Sequence, residues 1–340
     1  MGRLLMPGRR SATLARLLLA LAMAWLPAVP PLAQSSEPLV LVRTITLPDV
    51  RGRIDHLEID LDGGRLFVAA LGNDTVEVID LHAWRRSARI GPLLEPQGVA
   101  YAPGTMRLFV ASGEGARVDV FAGGTLSPVA HVDGLKDADN IRYDPASARL
   151  YAGYGNALAV LETLPLQKVG EVELSGHPES FQLERAGSRI FVNVPSAHEI
   201  AVVDRQKGTL IASWSLGDMG ANFPMALDEV NHRLLVATRR PAALLAYDTE
   251  SGKRVGGVPG CGDADDLFFD SIRKRVYAIC GEGVVAVVQQ VNPDHYETIG
   301  QVRTAPGART GLFVSAQRTL YVAVPARRSA SAEIRVYSVN

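Results

Sequence analysis

Short runs of alternating apolar and polar residues, broken by Gly, Asn and Asp, fill this chain from Leu39 to Asn340. The stretch from Arg53 to Asp80 sets the pattern. Ile54–Ile59 is followed by a Gly63-Gly64 turn, then Leu66–Ala70, a Gly72-Asn73-Asp74 turn and Val76–Ile79. Each run is rich in β-branched or aromatic residues and bounded by residues that tolerate positive φ, which predicts three short strands. Helical periodicity is absent, so a βαβ arrangement is excluded. A lone meander cannot bury its faces, and this one needs neighbours of its own kind.

The chain supplies six more. The second strand recurs as Arg65-Leu66-Phe67-Val68, Arg107-Leu108-Phe109-Val110, Arg149-Leu150-Tyr151-Ala152 and Arg189-Ile190-Phe191-Val192, then as Arg233-Leu234-Leu235-Val236, Arg275-Val276-Tyr277-Ala278 and Thr319-Leu320-Tyr321-Val322. Successive spacings are 42, 42, 40, 44, 42 and 44 residues. A period of this size holding only strand signals predicts an all-β fold, a seven-bladed β-propeller with one blade per repeat. The third strand alternates in turn, as in Val76-Glu77-Val78-Ile79 and Ile334-Arg335-Val336-Tyr337, and outer strands follow, for example Thr209–Trp214 and Tyr296–Val302. The last unit stops after its third strand, and its outer strand is supplied by Leu39–Leu47. Pairing of Leu39–Leu47 with Glu333–Ser338 would close the ring and remove two free edges.

FVAALGNDTVEVID and, further on, PQGVAYAPGTMRLFVAS resemble the YVTN-type propeller repeat, with its aromatic-Val strand, its Asn-Thr-Val-x-Val-Ile-Asp strand and its Pro-x-Gly-Val link. The resemblance implies an exported, YncE-like seven-bladed propeller, a group bordering streptogramin-lyase-like propellers, and it implies no single activity. The Trp-Asp dipeptide of WD40 repeats is replaced by Ile79-Asp80 and Val203-Asp204.

Residues 1–33 read as a signal peptide: Arg3, Arg9, Arg10 and Arg16 precede the apolar run Leu17–Leu26, and Pro27, Pro30 and Pro31 follow. The apolar run is too short to span a bilayer. The expected product is a periplasmic or secreted monomer, with residues 34–340 forming one propeller domain; Sec and twin-arginine export both remain open. Loss of four arginines takes the formal charge from −1 to −5, which gives no global attraction for nucleic acid or anionic membranes. Only Tyr154 and Phe223 offer aromatic stacking near the mouth. Cys261 precedes the first strand of its unit and Cys280 ends the second, at the same face. In an exported protein this pair predicts a disulfide, the alternative being two free, partly buried thiols.

Chemistry is expected at the channel mouth. Alignment on the second strand gives one column leading into the inner strands: Asp55, Gln97, Asp139, Glu179, Phe223, Asp265 and Thr310. The next position holds His56, Gly98, Asn140, Ser180, Pro224, Asp266 and Gly311. Asp55, Asp139, Glu179 and Asp265 thus converge on one axis, and like charges so placed need compensation. A divalent cation (Ca, Mg or Mn) is one way to supply it, since hard cations favour oxygen ligands. Acids that only tie their own loops are the other. His56 and His177 lie near enough to ligate a metal or act as a base. Arg239, Arg240, Arg309, Arg327 and Arg328, with Arg53, form a basic sector suited to a zwitterionic or anionic ligand. Gly281-Glu282-Gly283 lies between strands rather than opening a helix, so it is no dinucleotide fingerprint. The first expectation is an exported propeller that binds a small ligand or partner protein at the mouth without turnover. The alternative is a metal-dependent lyase or hydrolase at the acidic ring.

Overall fold

In the computed structural model, residues 1–2, 8, 37–328 and 330–340 are described. The expected signal peptide falls almost entirely outside them. Glu37–Asn340 forms one compact unit of seven four-stranded antiparallel sheets, the predicted seven-bladed propeller. Blade 1 consists of Leu57–Asp60, Arg65–Ala70, Thr75–Asp80 and Arg85–Ile90, ordered from the axis outward. Its inner strand starts at Leu57 rather than Ile54; Ile54–His56 form an irregular lead-in. Blade 7 takes Gly311–Val314, Thr319–Val324 and Ala332–Val339 from the chain end and Leu39–Leu47 from its beginning. The closing pair runs from Leu39 opposite Val339 to Leu47 opposite Ala332, with a bulge between Leu41 and Arg43. Among the described residues no helix is long and apolar enough to cross a membrane.

The alternation in the strands is the core. Each of seven apolar clusters fills one interface between neighbouring blades. Leu66 and Val68 of blade 1 meet Ile45, Leu47 and Ile334 of blade 7, while Phe67 and Ala69 turn the other way, toward Val99 and Leu108 of blade 2. Period-two side-chain direction therefore gives each strand two partners, one on either side.

The recurrent arginine at the start of the second strand links blades. Arg189 forms an ion pair with buried Glu184 (2.6 Å) and donates to the Thr249 carbonyl of blade 5 (2.6 Å). Arg233 reaches Asp294 of blade 6 (2.7 Å), Arg65 donates to the Gly123 carbonyl of blade 2, and Arg275 donates to the Asn340 carbonyl of blade 7. Cys261 and Cys280 stand at disulfide distance, with Cα atoms 6.0 Å apart and both side chains buried.

Candidate functional site

The mouth column is set by backbone hydrogen bonds that repeat from blade to blade. Asp55 donates its N–H to Ala69 (2.7 Å), and Ala69 donates back to the carbonyl of His56 (3.0 Å). Asp139 and Asn140 are pinned to Gly153 in the same way, and Glu179 and Ser180 to Asn193. In blades 2, 5 and 6 the inner strand continues through this position, and bulges release Gln97, Phe223 and Asp265 from the ladder. A bulge re-aims a side chain without ending the strand.

Blade 7 corrects the expected column. Ala323 donates to Thr310 (2.9 Å), the bond that Ala69 makes to His56, so Thr310 belongs to the second layer and Arg309 to the ring. Buried Thr310 uses its hydroxyl on the Ile54 carbonyl (3.1 Å). The ring residues Gln97, Asp139, Glu179, Phe223, Asp265 and Arg309, with Arg53, Asp137, His177 and Arg239, line a cavity of about 190 Å³. Asp55 lies beneath, 1% exposed. Arg327 and Arg328 line a different cleft with Arg51, and Arg240 is exposed away from the cavity.

Asp55, Asp139, Glu179 and Asp265 do not gather into one cluster among the described residues. Asp55 is held by Arg53 (2.8 Å), and Asp265 is paired with Arg239, whose guanidinium lies 3.8 Å from the Phe223 ring centroid. Arg239 and Arg309 also meet Asp263, at 3.2 and 3.3 Å. Acidic and basic groups are thus interleaved here rather than set on opposing arcs. Only Asp139 and Glu179 stay together, and His177 joins them: one ligand atom from each lies within 4.8 Å of the others. His177 Nδ1 bonds the Gly155 carbonyl (2.9 Å), and its Nε2 lies 3.9 Å from Asp139 Oδ2.

Below this group, His56 sits among carboxylates from three blades. Asp266 is 3.5 Å from Nδ1, and Asp55 and Asp139 are 3.7 and 4.0 Å from Nε2. Asp266 also accepts the Gly311 N–H (2.8 Å). Burial works against the imidazolium, but Asp266, Asp55 and Asp139 outweigh it and lift His56 to about 10. Burial pushes Asp55 up to about 7. Burial, and then the Asp139 charge, lift Glu179 to about 8. Burial works against the His177 imidazolium too, but nearby Asp139 and the Glu179 charge outweigh it and lift the group to about 9. Asp139 is held below its usual range despite burial, since His177 and His56 both favour its anion.

Some polar atoms stay unmatched. Asp55 Oδ1, Asp139 Oδ1, Asn140 Oδ1, Asp265 Oδ2 and Arg309 Nε are buried with no hydrogen-bond partner among the described residues. In the layer above the ring, Arg53 and His177 were legible in the sequence, whereas Asp137 and Asp263 were not singled out as site residues. All four stand two positions before the column. Asp137 and Asp263 have left-handed backbone there, at φ 56° and 58°.

No protein-family model matches the chain, and no curated protein matches its sequence. Solved structures do share its shape. A chain from the crystal structure of the mitotic checkpoint complex superposes with a TM-score of 0.76 at 12% identity, over 96% of this chain and 99% of that one. A chain of Kuenenia stuttgartiensis hydrazine synthase gives 0.71 at 15% identity, over 83% and 97%. These likenesses establish the fold. The chain is a seven-bladed β-propeller, an architecture that serves as a binding scaffold.

Proposed function

We propose that this protein is an exported, YVTN-type propeller that binds a small zwitterionic ligand at the channel mouth without turning it over. The loosely held charges carry the reading. Arg309 Nε and Asp265 Oδ2 stand 3.9 Å apart and Asp139 Oδ1 stands 4.0 Å from His56 Nε2, too far for hydrogen bonds, and Asp139, Asp265 and Arg309 line one cavity. A buried polar atom without a hydrogen bond costs roughly 1–3 kcal/mol, and a ligand bearing an ammonium and a carboxylate would supply donors and acceptors to such pairs. Export is supported by the basic-then-apolar leader and by the cysteine pair at disulfide distance. One structural neighbour belongs to a multiprotein complex, which accords with partner binding. A small cavity lined by both acids and bases favours the small ligand.

The test is thermal unfolding of the mature chain with amino acids, dicarboxylates and diamines, repeated in Asp265→Asn. At least one amino acid should raise the melting temperature of the wild type and lose that effect in the variant; at one hundred times Kd the gain is about 2.7 kcal/mol. If none of the compounds shifts the wild type, the reading fails. Asp139, His177 and Glu179 favour a second reading, a metal-dependent lyase or hydrolase.

A further inference from the structure

The ligand-binding reading leaves open what occupies the acidic side of the cavity, where Asp139, His177 and Glu179 meet. We infer that these three side chains form a site for one first-row transition-metal ion, Mn²⁺ or Co²⁺ in kind, with its remaining coordination positions open to the cavity. This inference rests on the mouth being a ligand site and adds the ion through which a ligand would be held.

Three independent observations carry it. The first is the donor set. Two carboxylates and one imidazole come from blades 3 and 4, with ligand atoms all within 4.8 Å of one another. Around a metal bonded at 2.0–2.2 Å, neighbouring ligand atoms stand about 3.4 Å apart in a tetrahedral arrangement. The 3.9 Å between His177 Nε2 and Asp139 Oδ2 therefore needs only a small inward shift. Those two residues are fixed to the framework, Asp139 through its N–H on the Gly153 carbonyl (3.0 Å) and His177 through Gly155.

The second observation is the orientation of the histidine. With Nδ1–H donated to the Gly155 carbonyl at 2.9 Å, Nε2 is left facing the carboxylates. Metal-bound histidines are held in this way, with the far ring nitrogen donating to a carbonyl or carboxylate. The third is the uncompensated carboxylate of Glu179. It lines the cavity, is only partly buried and makes no ion pair within 4.0 Å among the described residues, so it can move toward an ion. Asp139 turns its Oδ2 toward His177 and its Oδ1 toward His56, 4.0 Å from Nε2.

The imidazole decides the class of metal. Ca²⁺ seeks six to eight oxygens and Mg²⁺ keeps its waters, whereas a mixed nitrogen and oxygen set suits Mn²⁺, Co²⁺, Fe²⁺ or Zn²⁺. This departs from the Ca, Mg or Mn expected of an all-carboxylate ring. Three protein ligands leave room for water or an added ligand, as in sites that are not purely structural.

The experiment uses the mature chain, stripped with chelator and dialysed. Mn²⁺ binding is followed by loss of the free-ion electron paramagnetic resonance signal, and Co²⁺ binding by its visible absorption. One ion per chain is expected, with Ca²⁺ binding at least tenfold more weakly. Glu179→Gln and His177→Gln should each weaken Mn²⁺ at least tenfold, while Asp263→Asn, across the cavity, should change affinity less than twofold. The inference is overturned if the wild type binds neither ion at 1 mM. It is also overturned if Ca²⁺ competes equally, or if both glutamine variants bind as the wild type does. The Co²⁺ spectrum is read on the wild type and stands even where a variant misfolds: a spectrum unchanged from the aqueous ion rejects nitrogen ligation. If amino acids stabilise the mouth while metals fail to bind, this inference falls alone. If metals bind and none of the small compounds does, the zwitterion reading falls and the metal site stands.

Discussion

The closing strand offers the sharpest test of the architecture, because one strand carries both buried and exposed leucines. Leu39 and Leu47 are 1% and 0% exposed, whereas Leu41 between them is 49% exposed. Leu39 belongs to the core between blades 6 and 7, and Leu47 to the core between blades 7 and 1. A buried Leu→Ala change costs about 2–5 kcal/mol, the transfer of the lost carbons plus the cavity left behind. Eight residues at about 3.3 Å each put the two sites roughly 26 Å apart, far enough for their effects to add. The double variant Leu39→Ala/Leu47→Ala should therefore lose about 4–10 kcal/mol, comparable with the roughly 5–15 kcal/mol that holds a typical domain folded. Leu41→Ala should stay within about 0.5 kcal/mol, as an exposed substitution does. Urea unfolding followed by circular dichroism, with gel filtration for aggregates released by an open edge, measures all three. Losses below about 1 kcal/mol for each buried leucine, or a Leu41→Ala loss as large as theirs, would refute closure through this strand.

Two further outcomes are expected. If the cysteines are bonded, thiol titration in denaturant finds no free thiol before reduction, and Cys261→Ser/Cys280→Ser loses about 3 kcal/mol, the chain-entropy value for a separation of 19 residues. Glu58 on the inner strand of blade 1 is lifted to about 7 by burial, which the Ile59 N–H and the Arg142 charge only partly offset. A carboxyl raised in the folded state contributes stability below its unfolded value near 4.5 and loses it as pH rises through about 7. Glu58→Gln should thus match the wild type near pH 4 and exceed it at pH 8 by up to about 3 kcal/mol, measured by urea midpoints across the range. A wild-type advantage at pH 8 would show that Glu58 is compensated as an anion.

Blade number, strand order and closure were legible because each rests on local pattern. The aromatic-Val column repeats at nearly constant spacing, and LVLVRTITL is the one strand left without a unit of its own. The mouth was legible as a set of positions but not as a set of contacts. Arg309 and Thr310 are neighbours, and only the hydrogen bond from Ala323 shows which one enters the ring. That Arg239, at the end of a strand in blade 5, neutralises Asp265 in blade 6 depends on how adjacent blades face each other. Spacing along the chain does not encode it. His177 was placed near the mouth, but its partnership with Asp139 and Glu179 depends on a ring orientation set by the Gly155 carbonyl.

The same layering grades the charges of the mouth from exposed to buried. In the outer layer Arg53 and Asp137 have side chains 46% and 59% exposed, where water screens them and an incoming ligand meets them first. One layer down, Asp55 is 1% exposed and the His56 side chain 14%. Carboxylates at that depth need a fixed counter-charge, and His56 supplies it to three blades at once. An imidazolium in this place is covalently tethered, so it neutralises the inner carboxylates without being exchanged. Of the four ring carboxylates only Glu179 has no such resident, making no ion pair within 4.0 Å among the described residues, whereas Asp55, Asp139 and Asp265 face Arg53, His56 and Arg239. The protein's own cations thus compensate three of the four, and Glu179 is left to an exchangeable one.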